Sequence, residues 1–565
     1  MSHSQPGREW WRSAVVYQVY PRSFQDSDGD GIGDIPGIVS RLDYLHDLGV
    51  DVIWLSPVYR SPHDDNGYDI SDYEDIDPTF GTLADIDELI AELHARGMKL
   101  VMDLVVNHTS DEHAWFVDSR SGRDAEHADW YMWRDPRPGA VGGRPGAEPN
   151  NWGSFFSGSA WEWEPARGQY YLHLFSRKQP DLNWENPVVR RAVYDMMNRW
   201  LDRGVDGFRM DVINFISKDL ALPDGEVLST GFGDGMPFFR SGPRLQEFLA
   251  EMKAEVFDGR EQDYLTVGEM PDATPELAAR LTDSRTGQLS MIFQFEHVGL
   301  DQIGGKWNVG ELDLRDLKRS FARWQEALAE HGWNSLYWNN HDQPRIVSRW
   351  GNDREHWYAS ATALATVLHL QRGTPYVYQG EELGMTNVPF DDIGALRDIE
   401  SINHYATAVD LLGHEPEDVL AALRAMGRDN ARTPMQWTAE PGAGFTSATP
   451  WIGVNPNHER VNAAAQVGDP GSVWAHYRRL IALRHEDPVV VQGDFRMLLP
   501  DDPAVFAYTR EAEGTRLLVV ANLSDETVEC DLAGDRLVLT NLPERAGVGG
   551  RLAPWEARIY RSTVA

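Results

Sequence analysis

Gly207-Phe208-Arg209-Met210-Asp211 is the stretch on which the reading of this chain turns. Preceded by Val205-Asp206, it reads as a short buried strand that ends on a carboxylate. The strand ends of a (β/α)8 barrel ring one pocket, so an acid placed there is where such a barrel keeps its chemistry. Arg209 stands two residues before Asp211, and both side chains leave the same face of the strand. A guanidinium in that position is expected to hold Asp211 ionised.

Outward from this strand the chain alternates between two periods. Apolar runs at 14–20, 50–55, 100–106, 205–210, 265–269, 291–295, 335–339 and 375–378 read as strands. Helical spacing fills 38–48, 83–95, 188–201, 244–256, 361–370 and 472–485. Eight strands separated by helices predict an α/β fold of the (β/α)8 (TIM) barrel class. Residues 109–180 interrupt the rhythm with Gly, Pro, Trp and Asp, and a structureless loop of that length is disfavoured in a compact domain. An inserted subdomain after strand three is therefore expected. The span 380–460 reads as irregular apart from a helical piece near 419–426. Beyond about residue 490 short alternating strands predict a C-terminal antiparallel β domain. The expected boundaries are barrel 1–108, inserted subdomain 109–180, barrel 181–488 and β-sandwich 489–565.

The length of 565 residues calls for more than one core, and 42% hydrophobic with 25% charged residues is ordinary for a globular protein. A net charge of −36 excludes nucleic acid and anionic membrane as expected partners, since phosphates would be repelled. It serves solubility, or adaptation to high salt. The single cysteine, Cys530, forbids an internal disulfide. Neither an apolar leader nor a membrane-length apolar run is present, so a cytoplasmic protein, monomeric or a small homo-oligomer, is expected.

Four strand ends carry acids in barrel order. Asp103 and His108 belong to the third, Arg209 and Asp211 to the fourth, Glu269 to the fifth, and His341-Asp342 to the seventh. One such acid alone is more often structural; four in order are not. Cleaving a glycosidic bond needs two carboxyl groups, one protonated and one charged. A Glu in a drier setting keeps its proton and can act as acid and then base, and a further charged Asp can stabilise a cationic transition state. His108 and His113 lack a partner acid at zinc spacing, and the chemistry calls for no organic cofactor. A separate loop, Asp26 to Asp34, sets acids and glycines in near alternation. Asp26, Asp28, Asp30, Ile32 and Asp34 are candidate ligands for a structural Ca²⁺, although Gly37 stands where an EF-hand needs Glu; a solvated Asp/Gly turn is the alternative.

These blocks resemble glycoside hydrolase family 13, the α-amylase family. The resemblance rests on Asp103–His108, Gly207–Asp211, the segment around Glu269, Asn340-His341-Asp342, Gln179–Trp184 and Tyr378–Glu382, and it spans nearly the whole chain. The segments 66–73, 211–218 and 431–437 are similar to those of oligo-1,6-glucosidases and related α-glucosidases. The resemblance implies Asp211 as nucleophile, Glu269 as acid/base and Asp342 as transition-state stabiliser. It implies that Asp65, Tyr68, His108, Arg209, His341 and Arg432 hold a terminal glucose of a small oligosaccharide, with Asp65 and Arg432 walling off its far end. It also implies Ca²⁺, or Mg²⁺, in the Asp26–Asp34 loop. In similar enzymes Val at the position of Val212 accompanies α-1,6 preference and Thr accompanies α-1,4; a plain β-branched strand residue is the bland reading. An α-1,4-preferring α-glucosidase, a transglucosylase, a sucrose isomerase and a trehalose synthase remain alternatives, with a non-catalytic homologue disfavoured because all three acids are retained.

Overall fold

The computed structural model describes residues 9–545 and 549–564. Its centre is a parallel eight-stranded sheet: β1 (Val16–Val19), β2 (Val52–Leu55), β3 (Lys99–Leu104), β4 (Gly207–Met210), β5 (Leu265–Glu269), β6 (Met291–Phe293), β7 (Ser335–Leu336) and β8 (Thr374–Tyr378). Neighbours run β6-β5-β4-β3-β2-β1-β8-β7, every pair parallel. The seam between β6 and β7 is held by side chains. Ser335 Oγ donates to Ile292 O at 2.6 Å and Tyr337 OH to Gln294 O at 2.7 Å. The expected TIM barrel is present.

Two local details set the register that matters. Asp103 of β3 lies directly opposite Arg209 of β4, so the ladder itself brings acid and guanidinium together. At the start of β4, Gly207 has φ 155°, and a Cβ there would sit 2.0 Å from Leu265 O. Only glycine lets β4 and β5 approach this closely.

The helices follow ordinary end chemistry. Thr82 and Asp85 form a capping box at the start of α1 (Leu83–Ala95), which buries Ile86, Leu89, Ile90 and Leu93. Asn186 caps α2 (Pro187–Arg203), and left-handed Gly204 ends it. The continuous helix expected at 38–48 is instead two, Ile35–Ser40 and Leu42–Leu48, broken at Arg41. The one expected at 244–256 ends at Met252 and continues as a π turn, Lys253–Phe257. The sixth and seventh strands are shorter than expected because the chain leaves the sheet after Phe293 and Leu336.

The insertion after β3 contains a three-stranded antiparallel sheet, Trp133–Arg134, Gln169–Leu172 and Trp161–Glu164. Its core of Trp152, Trp161 and Leu172 is continuous with Val212 and Phe215, which anchors it over the end of β4. The C-terminal part is a five-stranded antiparallel sheet with a two-stranded companion. It grips the helix Trp357–His369, for example through Tyr508 OH to Val367 O at 2.9 Å and Asn541 Nδ2 to Ala359 O at 3.1 Å. The span expected to be irregular holds α3 (Ile399–Tyr405) and a four-residue helix, Asp429–Arg432, besides Pro416–Met426, which contains the helical piece expected near 419–426. Among the described residues no helix is long and apolar enough to cross a membrane.

Candidate active site

Arg209 is the pivot of the site. Its Nη1 donates to Asp103 Oδ1 at 2.7 Å and to Asp211 Oδ1 at 2.8 Å, and its Nη2 to Glu269 Oε2. One buried guanidinium thus meets three buried carboxyl groups, from β3, from the residue that follows β4, and from β5. Tyr68 OH and Trp54 Nε1 donate to the other oxygen of Asp103, at 2.9 and 3.1 Å. Asp103 is thereby fully occupied, while Asp211 and Glu269 are drawn together by their shared partner Arg209.

Asp342, after β7, has a different environment. Arg432 Nη2 donates to its Oδ1 at 2.7 Å, Arg428 Nη1 approaches at 3.4 Å, and His341 Nε2 lies 3.3 Å from Oδ2. His341 is fixed by Gln18 Nε2 at 2.8 Å and by stacking on Tyr68, with ring centroids 5.0 Å apart. Arg428 also donates to Asp65 Oδ1 at 3.1 Å and grips the fully buried Asp398. Gln179 Nε2 donates to Asp65 Oδ2 at 3.1 Å, and the His108 ring contacts Tyr68 O at 3.1 Å.

These surroundings separate the acids electrostatically. Burial pushes Glu269 up to about 8, with Asp211 and Asp342 reinforcing the rise against Arg209. Burial also pushes Asp211 up to about 7, with Arg209 opposing and Asp103 reinforcing. Arg209, expected to hold Asp211 ionised, does pull it down, but its one positive charge is shared among three acids and does not cancel the effect of burial. Asp342 goes the other way. Burial would raise it, yet the charges of Arg428 and Arg432 outweigh that and hold it ionised, with the His341 ring beside its other oxygen. Burial drives the His341 ring down to about 3, so it is neutral.

Asp65, Tyr68, His108, Asp211, Val212, Glu269 and Asp342 all line one cavity of about 430 Å³. Arg209, His341 and Arg432 stand behind these groups as supports, and Arg432 is completely buried. The guanidinium that meets Asp65 at the pocket wall is that of Arg428, a correction to the expected Asp65–Arg432 wall. Reading the sequence missed Arg428, Asp398 and the lining residues Phe155, Phe175 and Lys306. Val212 is no plain strand residue: it follows β4 with φ 34° and ψ 41°, a left-handed conformation rare for a β-branched side chain. Glu381 and Glu382 lie outside the site, buried against Tyr477, Tyr17 and Tyr44.

In the acidic loop, carboxylate oxygens of Asp26, Asp28 and Asp34 lie within 4.8 Å of one another. Asp30 is not in that group. It is exposed and accepts from Ile32 N at 2.8 Å. The model of the alpha amylase catalytic domain matches residues 18–493, and that of the maltogenic amylase C-terminal domain matches 495–549. The chain is 54% identical over 563 residues to the oligo-1,6-glucosidase of Halalkalibacterium halodurans, covering 98% of this chain and 99% of that one. It is 47% identical to the trehalose-6-phosphate hydrolase of Bacillus subtilis, covering 98% of each. Among solved structures, the trehalulose synthase of Pseudomonas mesoacidophila superposes with a TM-score of 0.92 at 43% identity, over 98% of this chain and 100% of that one. A barrel whose strand ends gather these acids, matched by family model and relatives over nearly its whole length, belongs to the α-amylase family of glycoside hydrolases.

Proposed function

We propose that this enzyme is a retaining, exo-acting α-glucosidase that releases glucose from the non-reducing end of short α-glucosides and favours α-1,6 linkages. Asp211 would attack the anomeric carbon while Glu269 protonates the leaving oxygen. Glu269 would then deprotonate the water that releases glucose. That one guanidinium bonds both acids suits retention, since an inverting pair stands farther apart to leave room for water. Asp342, held ionised by its arginines, would oppose the positive charge that develops on the sugar. The observation that carries this reading is the pair of buried carboxyl groups, Asp211 and Glu269, that Arg209 gathers in one cavity.

The Asp65–Arg428 pair would close the far end of the cavity behind one glucose unit, and Val212 would favour the α-1,6 acceptor side by offering no hydroxyl to it. The relatives named oligo-1,6-glucosidase support the same linkage. The reading of trehalose 6-phosphate as substrate is disfavoured. The lining cations Lys306 and Arg428 are each already paired with acids, Glu400 and Asp65 among them, which leaves little to receive a phosphate. Asp26, Asp28 and Asp34 would hold a structural Ca²⁺ or Mg²⁺. Among the described residues none of the three is ion-paired with Lys or Arg, so a hard cation fits the donor set. A cytoplasmic enzyme, monomeric or a small homo-oligomer, completes the proposal.

The test is a panel of isomaltose, maltose, sucrose, trehalose and trehalose 6-phosphate, followed for hydrolysis and for transfer products. Isomaltose is expected to be hydrolysed with the highest kcat/KM, and Asp211→Asn to lower it by at least about four orders of magnitude without unfolding. Preferred turnover of trehalose 6-phosphate, or an isomerised disaccharide as main product, would overturn the assignment.

A further inference from the structure

The residue after Asp211 does more than line the cavity. The main-chain N–H of Val212 donates to Glu269 Oε2 at 3.1 Å, and Arg209 Nη2 donates to the same oxygen. Oε2 therefore carries two donors. Among the described residues Oε1 receives none. A carboxylic acid cannot place its proton on an oxygen already facing two N–H groups without bringing donors face to face. The proton of Glu269 is thereby confined to Oε1.

The backbone that achieves this is unusual. Val212 has φ 34° and ψ 41°, which β-branched residues seldom adopt. The chain turns at once into a short, buried 3-10 turn, in which Phe215 packs against the insertion and Ile213 against the barrel core. The left-handed turn lets one residue send its amide to Glu269 and its isopropyl group into the cavity. Strain of this kind persists only where the surroundings over-determine it, and it gathers at functional sites. Gly268, immediately before Glu269, completes the fit, since a Cβ there would lie 2.9 Å from Ile213 Cγ2.

We infer that Val212 is a positioning residue acting through its main chain: its N–H, with Arg209, selects which oxygen of Glu269 carries the proton. This rests on the reading of Glu269 as the acid. The groups facing Glu269 are Arg209 on β4 and Asp211 just after it, Asp103 across Arg209 on β3, Tyr337 and Asp342 after β7, and Asp272 on its own loop. Only the Val212 amide is a neutral donor that side-chain mutagenesis leaves in place.

The test replaces that N–H by an ester oxygen, with α-hydroxyisovaleric acid in place of Val212 in the full-length enzyme. kcat/KM is measured against pH for isomaltose and for dinitrophenyl α-glucoside, whose leaving group needs no proton. The expected result is a loss of roughly tenfold or more on isomaltose, a much smaller loss on the aryl glucoside, and a basic limb moved upward by about half a pH unit. Val212→Thr and Val212→Gly both keep the amide and should leave the basic limb in place. Equal losses on both substrates, or an unmoved limb, would overturn the assignment; so would a limb that moves equally in the Thr and Gly variants. Should the ester protein fail to fold, the wild-type enzyme carrying isotope-labelled valine answers the question by NMR. The Val212 amide proton should titrate with the basic limb, and a flat signal overturns the inference. A wild-type enzyme that hydrolyses neither glucoside would instead remove the acid/base reading of Glu269.

Discussion

Arg209 decides the proton distribution of the site. Its single charge cannot fully ionise Asp103, Asp211 and Glu269 together once water is excluded, and the acid least favoured by its setting keeps a proton. Asp211 must be charged to attack and is pushed up to about 7, so activity should rise with pH through its titration. Glu269 must be protonated to assist departure and is pushed up to about 8, so activity should fall as pH passes that value. The expected outcome is a bell-shaped kcat/KM profile for isomaltose with both limbs above the ordinary carboxylate range. A profile whose acidic limb sits near pH 4 would contradict it. The acids themselves were legible in the sequence because strand ends announce them. Arg428 was not. The motif-like segment begins at Ala431 and draws attention to Arg432, whereas Arg428 lies four residues earlier, one turn away on the same helical face, where nothing in its neighbours distinguishes it.

At the scale of elements, the segment α3 is the part of the site that pattern reading could not supply. Its residues Ile399–Tyr405 form too short a run for a helical period to stand out. It is held by its surroundings instead. Asp398 caps it, accepting from Glu400 N at 3.2 Å and Ser401 N at 3.3 Å; Lys306 pairs with Glu400; His404 stacks on Trp307 with centroids 4.6 Å apart. The same Asp398 carboxylate receives Arg428 and lies 3.5 Å from Arg432. One buried charge therefore ties the helix at the cavity mouth to the arginine that meets Asp65. Asp398→Asn should leave both arginines under-compensated and loosen the wall without touching the reacting carbon. We expect KM for isomaltose to rise roughly tenfold, kcat to change by less, and stability to fall by about 3 kcal/mol, the scale of a broken buried ion pair. Steady-state kinetics and thermal unfolding check this, and an unchanged KM would separate Asp398 from the substrate wall.

Across the whole molecule, the barrel was legible because eight buried strands and their helices repeat a rhythm that no loop imitates, while the insertion showed only as a break in it. Its small sheet is built on aromatic contacts that carry no period. Charge is the other property that belongs to the molecule as a whole. Acids exceed bases by 36, so even if every Lys and Arg were paired, that many carboxylates would lack a cationic partner. The pairing seen is already extensive and mostly at the surface, where each pair contributes little. The uncompensated remainder repels itself, and compaction on folding concentrates it. Salt shortens the reach of that repulsion from about 10 Å at 0.1 M to about 3 Å at 1 M, so the folded state gains more from salt than the expanded chain does. The midpoint of thermal unfolding at neutral pH should therefore rise by several degrees between these salt concentrations in NaCl. The same increment should shrink near pH 5, where part of the carboxylate excess is neutralised. A midpoint that falls with salt, or an increment that grows on acidification, would show that the surface acids are locally compensated and that net charge does not govern the stability of this enzyme.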